Sequence, residues 1–355
     1  INLPEKSTFH MTRLLLIISL LLTPISIVTA AETELTGTLL VANRTGGSIS
    51  VIDLQTKTEV TRLPIGEHIP HEMAASPDGR WAITGAYGTG NNPGRHLVVI
   101  DIATAEIVRR IDMGPNTRPH SIVFLSDSRH VITTIELSNA IALVDIIDGE
   151  IIRTWPTGGQ DSHMVRIAPD DSRAYVASRG SGTLSVIWLD EVNADRPRTI
   201  ITTGRRAEGI AVSPDGQQIW VANQGDSTIS VVDAETLEVI AGIEGITTNR
   251  IEFLPNGQAV VPGGINTDSA GRYITFFDGT TQDVVRTLQL PSSADLGTGV
   301  RLLAADDVLF LADSALGEIT VVDPASENSP ELITSNPNNV DGMAWSPLRL
   351  AILGD

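Results

Sequence analysis

The chain has 355 residues, of which 41% are hydrophobic, and a formal net charge of −19 at pH 7. This length and hydrophobic content suffice for one large domain or two ordinary ones. Because the sequence contains no cysteine, it excludes disulfides, thiolate-bound zinc, iron–sulfur clusters and thioether-attached haem, so any metal would need His, carboxylate or water ligands. The negative charge repels phosphate groups, which disfavours binding to nucleic acid or to anionic lipid.

The first segment of the chain has the pattern of a secretory signal peptide. Residues 1–10 lack that pattern and precede Met11, a candidate initiator, so we interpret them as an over-extended start outside the fold. Residues 11–31 combine one basic residue, an apolar run at 14–22 and a small-residue cleavage site, and the run is shorter than the roughly 20 residues that cross a membrane. We therefore expect an exported protein, periplasmic or extracellular, with no transmembrane anchor.

One module is repeated along the rest of the chain, and residues 208–233 show it most clearly. They contain three short alternating runs rich in β-branched residues, which predict consecutive antiparallel strands. Between the first two runs, Pro214 and Gly216 predict a tight turn, since proline fixes φ and glycine adopts positive φ without a Cβ clash. The carboxylate of Asp233, after the third run, can accept hydrogen bonds from the backbone of the next turn.

The third strand of the module recurs at intervals of about 45 residues, a period typical of propeller repeats. The copies of this strand end at Asp53, Asp101, Asp145, Trp188, Asp233, Asp278 and Asp323. A period of this size with four strand-length runs indicates that each repeat is one four-stranded blade. We therefore predict an all-β, seven-bladed β-propeller of antiparallel blades, forming a single domain at residues 36–355.

The two ends of the fold indicate how the ring closes. The first repeat begins partway through a blade at residues 39–43, and residues 342–347 match an inner strand. Pairing of these N- and C-terminal segments would complete one blade and remove both free edges. Residues 348–353 resemble a further strand, which would either add to this seam or begin an eighth blade. We favour seven blades, in a protein that we expect to be a monomer.

Short phrases within the blades recur with nearly the same residues. Examples are Ala174–Ser178, Ser213–Gly216, Ile219–Asn223 and Thr228–Asp233. These phrases resemble the repeats of the YVTN-type β-propeller family of exported bacterial and archaeal proteins, and the resemblance covers essentially the whole fold. It implies a propeller shape and an exported location. It implies no reaction, because some members of the wider group resemble carriers of haem d1 or quinone-type redox centres, and others bind cell-surface or nucleic-acid partners.

The loops that enter the central channel differ between blades at one equivalent position. This ring position lies two residues before the first apolar residue of each inner strand. In blade order it is occupied by His71, His120, His163, Glu208, Asn249, Thr298 and Asp341. Because the inner strands of a propeller surround a narrow axis, these side chains should converge in one small volume.

Three histidines with carboxylates nearby form a ligand set for a divalent transition metal. The predicted metal ligands are His71, His120, His163, Glu208 and Asp341. A metal held there could polarise a carbonyl or generate hydroxide near neutral pH. His68 and Glu72 flank His71 and could orient the ligands. The same ring could instead line a water-filled channel and bond only backbone groups and ordered water.

A second ring of polar residues follows the second strand of each blade and should lie on the same face. It includes Arg44, Tyr87, Glu136, Arg179 and Gln224, with Arg95 and Arg118 near the mouth. Together with a metal at the floor, these residues could hold a small anionic ligand against the negative charge of the chain. The predicted ligand-binding residues at the channel mouth are Tyr87, Arg118, Glu136, Arg179 and Asn249.

The motifs leave several functions open. We favour a module that binds a small ligand, a metal or a protein partner at the channel mouth without turnover, because no nucleophile–base pair, Gly-x-Ser-x-Gly elbow or His-Glu-x-x-His helix occurs. The alternative is a metal-dependent hydrolytic or redox enzyme built on the three histidines, with Glu208 or Asp341 as an additional ligand or base. A haem- or quinone-type redox propeller is a further alternative. No catalytic residue is assigned, and the cofactor is left open, with a divalent transition metal as the candidate that the ring residues favour.

Overall fold

The computed structural model describes residue 1 and most of the chain from residue 35 onward. The described ranges are 35–66, 69–190, 196–265, 273–290, 300–305, 308–314, 317–325, 331–333 and 339–351. The over-extended start, apart from its first residue, and the signal peptide of the sequence analysis lie outside these ranges. Within them, no helix is long and apolar enough to cross a membrane. The strands belong to one compact unit, Glu34–Asp355.

The described residues form seven four-stranded antiparallel sheets, which confirms the seven-bladed, all-β propeller. The strands of blades 1 to 4 are β1 (Thr38–Asn43), β2 (Ser48–Asp53) and β3 (Thr58–Pro64); β4 (Pro70–Ala75), β5 (Trp81–Gly88), β6 (Pro93–Asp101) and β7 (Glu106–Asp112); β8 (Pro119–Phe124), β9 (His130–Ile135), β10 (Ala140–Asp145) and β11 (Glu150–Pro156); and β12 (Ser162–Ile167), β13 (Arg173–Ser178), β14 (Thr183–Trp188) and β15 (Thr199–Thr202). Those of blades 5 to 7, with the strand that completes blade 1, are β16 (Ala207–Val212), β17 (Gln218–Asn223), β18 (Thr228–Asp233) and β19 (Val239–Glu244); β20 (Glu252–Phe253), β21 (Gln258–Pro262), β22 (Tyr273–Asp278) and β23 (Val284–Gln289); β24 (Val300–Ala305), β25 (Val308–Asp313), β26 (Glu318–Val322) and β27 (Glu331–Ile333); and β28 (Val340–Ser346). One turn of 3₁₀ helix, η1 (Glu136–Ser138), follows β9.

The core lies between neighbouring blades. Strands β1 and β2 are buried along their whole length, so their side chains pack on both faces of the sheet, whereas the outer strand β7 is mostly exposed. One apolar cluster joins Val51 of blade 1 to Val98 of blade 2, and another joins Tyr175 of blade 4 to Ile219 of blade 5. Because burial of apolar surface contributes about 25 cal/mol per Å², this packing between blades is the main stabilising term.

The turns of the module have the predicted chemistry. In blade 5, Ser213 Oγ accepts the N–H of Gln218 at 2.9 Å, and Gly216 adopts φ 72°. Asp233 Oδ1 accepts the N–H of Thr236 at 2.7 Å, so the carboxylate caps the next turn. These repeated residues fix the geometry of their own loops.

The ring closes through the predicted pairing of the two ends of the fold. Strand β28 is the innermost strand of blade 1 and pairs antiparallel with β1, with Leu40 opposite Ala344. The inner strands β4, β8, β12, β16, β20, β24 and β28 contact one another in turn, and β28 contacts β4. The further strand considered at 348–353 does not form in its described part: residues 348–350 belong to no strand, and Leu350 packs in the core between blades 1 and 2. Because β1 and β28 already occupy this seam, no free edge remains there.

Candidate functional site

β-Bulges aim the ring residues at the channel. Within the described ranges, the register of the inner strand breaks around the ring position in five blades, which are those that carry the predicted metal ligands. A bulge bends the strand and re-aims the side chain at the extra residue. In four of these blades the residue two positions earlier adopts positive φ, which turns the chain into the strand. These residues are Arg118, Asp161, Arg206 and Asn339.

The five predicted metal ligands lie side by side in one buried row. The ring centroids of His71 and His120 are 4.4 Å apart, and those of His120 and His163 are 3.8 Å apart. At one end of the row, Asp341 Oδ2 is 2.5 Å from His71 Nδ1; at the other, Glu208 Oε1 is 3.5 Å from His163 Nε2. No member exposes more than 7% of its surface. We term these five residues the histidine row.

The backbone of the neighbouring blade sets the tautomer of His120. Its Nδ1 lies 3.0 Å from the carbonyl oxygen of His163, which only accepts, so Nδ1 carries the proton and Nε2 keeps a lone pair. Nε2 is buried and makes no hydrogen bond within the described part of the chain. Burial, reinforced by the neighbouring His163, lowers the pKa of His120 well below its usual value. His120 is therefore a neutral imidazole with an unbonded Nε2, the form that binds metals.

His163 has a different environment, although its ring lies against that of His120. Burial acts to lower its pKa, but two carboxylates outweigh burial and raise it: Glu136 is 3.7 Å from Nδ1 and Glu208 is 3.5 Å from Nε2. Burial likewise opposes the charge of Glu208, yet hydrogen bonding and charge from His163 lower the pKa of that carboxyl to about 2. His163 and Glu208, at this end of the row, thus form an ion pair.

Four of the five predicted ligand-binding residues form one network around Glu136. The O–H of Tyr87 donates to Glu136 Oε2 at 2.5 Å, and Arg179 Nη2 donates to Oε1 at 3.2 Å. Arg118 Nε lies 3.5 Å from Oε2, and its guanidinium covers the ring of Tyr87, 4.3 Å from the centroid. Burial opposes ionisation of Glu136, yet the nearby His163 and the hydrogen bond from Tyr87 hold its pKa well below the usual value. Glu136 is therefore a buried carboxylate shared by the mouth and the histidine row.

The other residues of the sequence analysis lie at the edge of this cluster or away from it. Asn249 Nδ2 donates to Glu208 Oε1 at 3.4 Å, which places the fifth predicted ligand-binding residue beside the histidine row. Arg44 Nε lies 3.3 Å from Asp341 Oδ2, whereas Arg95 pairs with a surface carboxylate. Two further residues fall outside the described ranges, Thr298 and His68.

Sequence reasoning missed three charged residues that contact the site. They are Asp161, Arg250 and Arg301. Asp161 accepts a hydrogen bond from Arg179 at 2.8 Å, and Arg301 donates to Asp341. Arg250 and Arg301 lie one and three residues beyond the ring positions of blades 6 and 7. Side chains two apart in a strand face the same way, so residues one and three beyond the ring positions share a face, as Glu72 and Arg166 do, and charged residues at these offsets are the signal that could have located them.

Each residue of the histidine row has one buried polar atom that makes no hydrogen bond in the described structure. Within the histidine row, the five buried atoms that make no hydrogen bond to any described residue are His71 Nδ1, His120 Nε2, His163 Nδ1, Glu208 Oε2 and Asp341 Oδ2. The first and last are 2.5 Å apart but are not aligned as a hydrogen bond. Buried polar atoms are normally bonded, so the row suits an additional electrophile. In each of two sets of residues, the ligand atoms lie within 4.8 Å of one another, so each set could hold a metal ion. The sets are His71, Glu72 and His120; and Glu136, Asp161 and His163.

Solved structures of other proteins share this fold. A functionally unknown protein from Desulfotomaculum acetoxidans DSM 771 matches with a TM-score of 0.68 and 16% identity, over 88% of this chain and 99% of that chain. The β-propeller domain of Cps50 (Swd1) from Myceliophteria thermophila matches with a TM-score of 0.64 and 13% identity, over 80% and 92%. Hydrazine synthase from Kuenenia stuttgartiensis matches with a TM-score of 0.56 and 17% identity, over 73% and 79%. At these identities the likeness shows the fold alone.

A family model gives a more specific assignment. Comparison with curated proteins found no match. The model described as "Lactonase, 7-bladed beta-propeller" matches residues 37–239, which is more than half of the chain and includes all three histidines of the row. The chain therefore belongs to the lactonase family of seven-bladed β-propellers.

Proposed function

We propose that the histidine row is a divalent transition-metal site and that the bound metal serves the hydrolysis of small cyclic esters. One observation carries the proposal: five buried His and carboxylate atoms, one on each predicted ligand, lie together without hydrogen bonds in the described structure. We choose lactones as the proposed substrates because the matching family is described as lactonase. Hydrolysis of a lactone is a reaction that a metal with His and carboxylate ligands supports, because it begins with attack of water on a carbonyl.

His71 and His120 are the histidines best placed to bind the ion. The carbonyl of His163 accepts from Nδ1 of His120, so this ring has Nε2 left as the donor to a metal. Asp341 lies beside Nδ1 of His71 without being aligned as a hydrogen bond, and a bound metal at Nε2 of His71 would orient the ring toward this carboxylate. Metal-bound imidazoles are usually held in this way by a carboxylate or carbonyl on the other nitrogen. Glu72 supplies a carboxylate within 4.8 Å of both histidines. His163 and Glu208 extend the same row.

The surrounding residues fit the charge changes of lactone hydrolysis. A divalent ion supplies a Lewis acid for the ester carbonyl and for water. Water adds to the carbonyl carbon, the ring C–O bond breaks, and the alkoxide oxygen takes up a proton to give a hydroxy acid. His163, between Glu136 and Glu208, is the residue placed to donate that proton. Arg118 and Arg179 supply positive charge at the mouth for the carboxylate that forms.

Metal content tests the first half of the proposal. Protein purified without a polyhistidine tag should contain one divalent transition metal per chain by mass spectrometry with inductively coupled plasma. The His71→Ala/His120→Ala variant should lose it. A matched control is His96→Ala, because His96 lies on β6 outside the histidine row, and this variant should keep the metal. Wild-type protein without stoichiometric metal after reconstitution and dialysis, or an equal loss in the control, would refute the metal site.

A hydrolysis assay tests the second part of the proposal, that the bound metal serves the hydrolysis of lactones. We expect γ- and δ-lactones to release acid in a pH-stat assay, with activity lost on chelation and restored by the metal. A second candidate function is metal or ligand binding without turnover, and it is favoured by the small exposure of the three histidines, 0–7%. Stoichiometric metal with no acid release from any lactone of the panel would support this second function and contradict the first.

We also propose that the protein is exported. The apolar run at 14–22 and the YVTN-type character of the repeats support a periplasmic or extracellular location. Residues 11–35 fused to a reporter should direct it to the periplasm. Leu16→Arg, which interrupts the apolar run, should keep the reporter in the cytoplasm. Retention of the wild-type fusion in the cytoplasm would contradict export.

A further inference from the structure

A cavity of about 340 Å³ lies inside the channel next to the histidine row. Its lining begins at Glu72, Ser121 and Met164, each of which directly follows a histidine of the row, and continues to Pro77 and Trp345 toward the other end of the inner strands. The three histidines are not among its lining residues. A volume of this size is at the lower end of the range for small-molecule sites. The cavity is therefore a separate space that begins where the histidine row ends.

Charged side chains pair inside this cavity. Arg250 Nη2 is 2.5 Å from Glu72 Oε1, which joins blades 6 and 2. Arg166 Nη2 is 2.8 Å from Glu252 Oε1, which joins blades 4 and 6. Blades 2 and 6 are not neighbours, nor are blades 4 and 6, so these pairs bridge the channel. Each of these arginines has its counter-charge within the lining.

Arg301 is bonded differently from the other two arginines. It donates through Nε to Asp341, which lies outside the lining and also contacts His71 and Arg44. Its Nη1 is buried and makes no hydrogen bond to any residue that the structure describes. The described lining contains three arginines and two glutamates, and Asp341, the counter-charge of Arg301, lies just outside it. Burial raises the pKa of Glu252, which weakens one of the counter-charges.

An unbonded guanidinium N–H beside apolar walls defines the chemistry of a ligand. Ile122, Leu302 and Met343 are among the apolar lining residues. We propose that this cavity binds a small organic monocarboxylate, with the carboxylate at Arg301 and the hydrocarbon part against these apolar residues. A charge-assisted bond to a carboxylate would satisfy Nη1.

The charge of the lining selects a monoanion. With Asp341 counted, three arginines face three carboxylates, so no surplus positive charge is left to hold a second negative charge on the ligand. A phosphate or a dicarboxylate would carry its second charge against Glu72 and Glu252 and would be repelled. The chain as a whole carries a charge of −19, so an anion can bind only at a local positive site of this kind.

Calorimetric titration with hexanoate and with its neutral isostere hexanamide tests the proposal. Hexanoate should bind, and hexanamide should bind about tenfold more weakly or not at all, since it cannot pair with the guanidinium. The titration uses protein freed of metal by chelation. Its outcome is therefore distinguishable from the metal and lactone measurements, because the cavity keeps its arginines whether or not the histidine row holds an ion.

Two arginine variants locate the ligand. Arg301→Gln should weaken hexanoate binding about tenfold or more. Arg44→Gln is the matched control, because Arg44 also contacts Asp341 but does not line the cavity, and it should change binding by less than about twofold. If Arg301→Gln does not fold, Arg301→Lys keeps the charge but lacks the Nη1 donor and should show a similar loss. Equal loss in Arg301 and Arg44 variants, equal binding of acid and amide, or no binding of hexanoate would overturn the proposal.

Discussion

The turns and the channel are built from the same seven repeats, yet they use charge in different ways. At the turns of blades 3 and 5 a carboxylate acts locally: Asp145 Oδ1 accepts the N–H groups two and three residues further along, and Asp233 does the same. In the channel the charges pair between blades, as Asp341 of blade 1 does with His71 of blade 2 and Arg301 of blade 7. A turn carboxylate therefore stabilises one loop, whereas a channel carboxylate stabilises the ring.

The largest expected effect is that of Asp341→Ala. The variant leaves Arg301 and its neighbours without their counter-charge in a buried place, which should cost about 3–5 kcal/mol in the free energy of unfolding. Urea denaturation followed by circular dichroism measures it. The control is Asp226→Ala, which removes an exposed pair with Arg205 and should change stability little. Similar losses in both variants would break the comparison.

The bridge across the channel gives the next effect. Arg250→Met leaves the carboxylate of Glu72 unpaired inside the channel and should cost about 3 kcal/mol. The double variant Arg250→Met/Glu72→Met should be more stable than Arg250→Met alone, because it removes both charges and leaves apolar side chains of similar length. A double-mutant cycle in urea measures the coupling. Additive losses would show that the two groups do not depend on each other.

A turn carboxylate should contribute less and should depend on pH. Although burial opposes its charge, hydrogen bonds from Arg129 and from the backbone lower the pKa of Asp145 from 3.8 to about 2. Its contribution is therefore fully present above about pH 4 and is lost as pH falls through 2. Asp145→Asn should cost about 1 kcal/mol at pH 7, and the difference should shrink toward pH 2. A pH series of denaturation midpoints measures this, and a constant difference would contradict it.

The smallest expected effect tests whether the charge of a side chain or its position in the channel decides its contribution to stability. Tyr87→Phe removes a neutral donor to Glu136 in the channel and should cost only about 1 kcal/mol. Tyr175→Phe is its control: the Tyr175 hydroxyl is buried but has no hydrogen-bond partner among the described residues, so its removal should be neutral or slightly stabilising. Thermal unfolding of the two variants measures the difference. A loss at Tyr87 as large as that at Asp341 would show that position, rather than charge, decides stability in the channel.

The ring and the convergence of its histidines could be predicted because both depend on the repeat. Equivalent positions of successive blades are neighbours on the axis, so His71, His120 and His163 had to meet once the blade was recognised. The partners across the channel could not be predicted in the same way. The pairing of Arg250 with Glu72 depends on the width of the channel and on which blades face each other, and neither quantity is encoded in the period.

The closing strand β28 has a consequence for the order of assembly. It pairs with β1, so one blade joins segments that are separated in the chain by the six other blades. It also carries Asp341, the carboxylate at His71. A nascent chain therefore completes its cluster of candidate ligands in the same event that seals its last open edge. A ring that has not closed would therefore lack the Asp341 end of the histidine row.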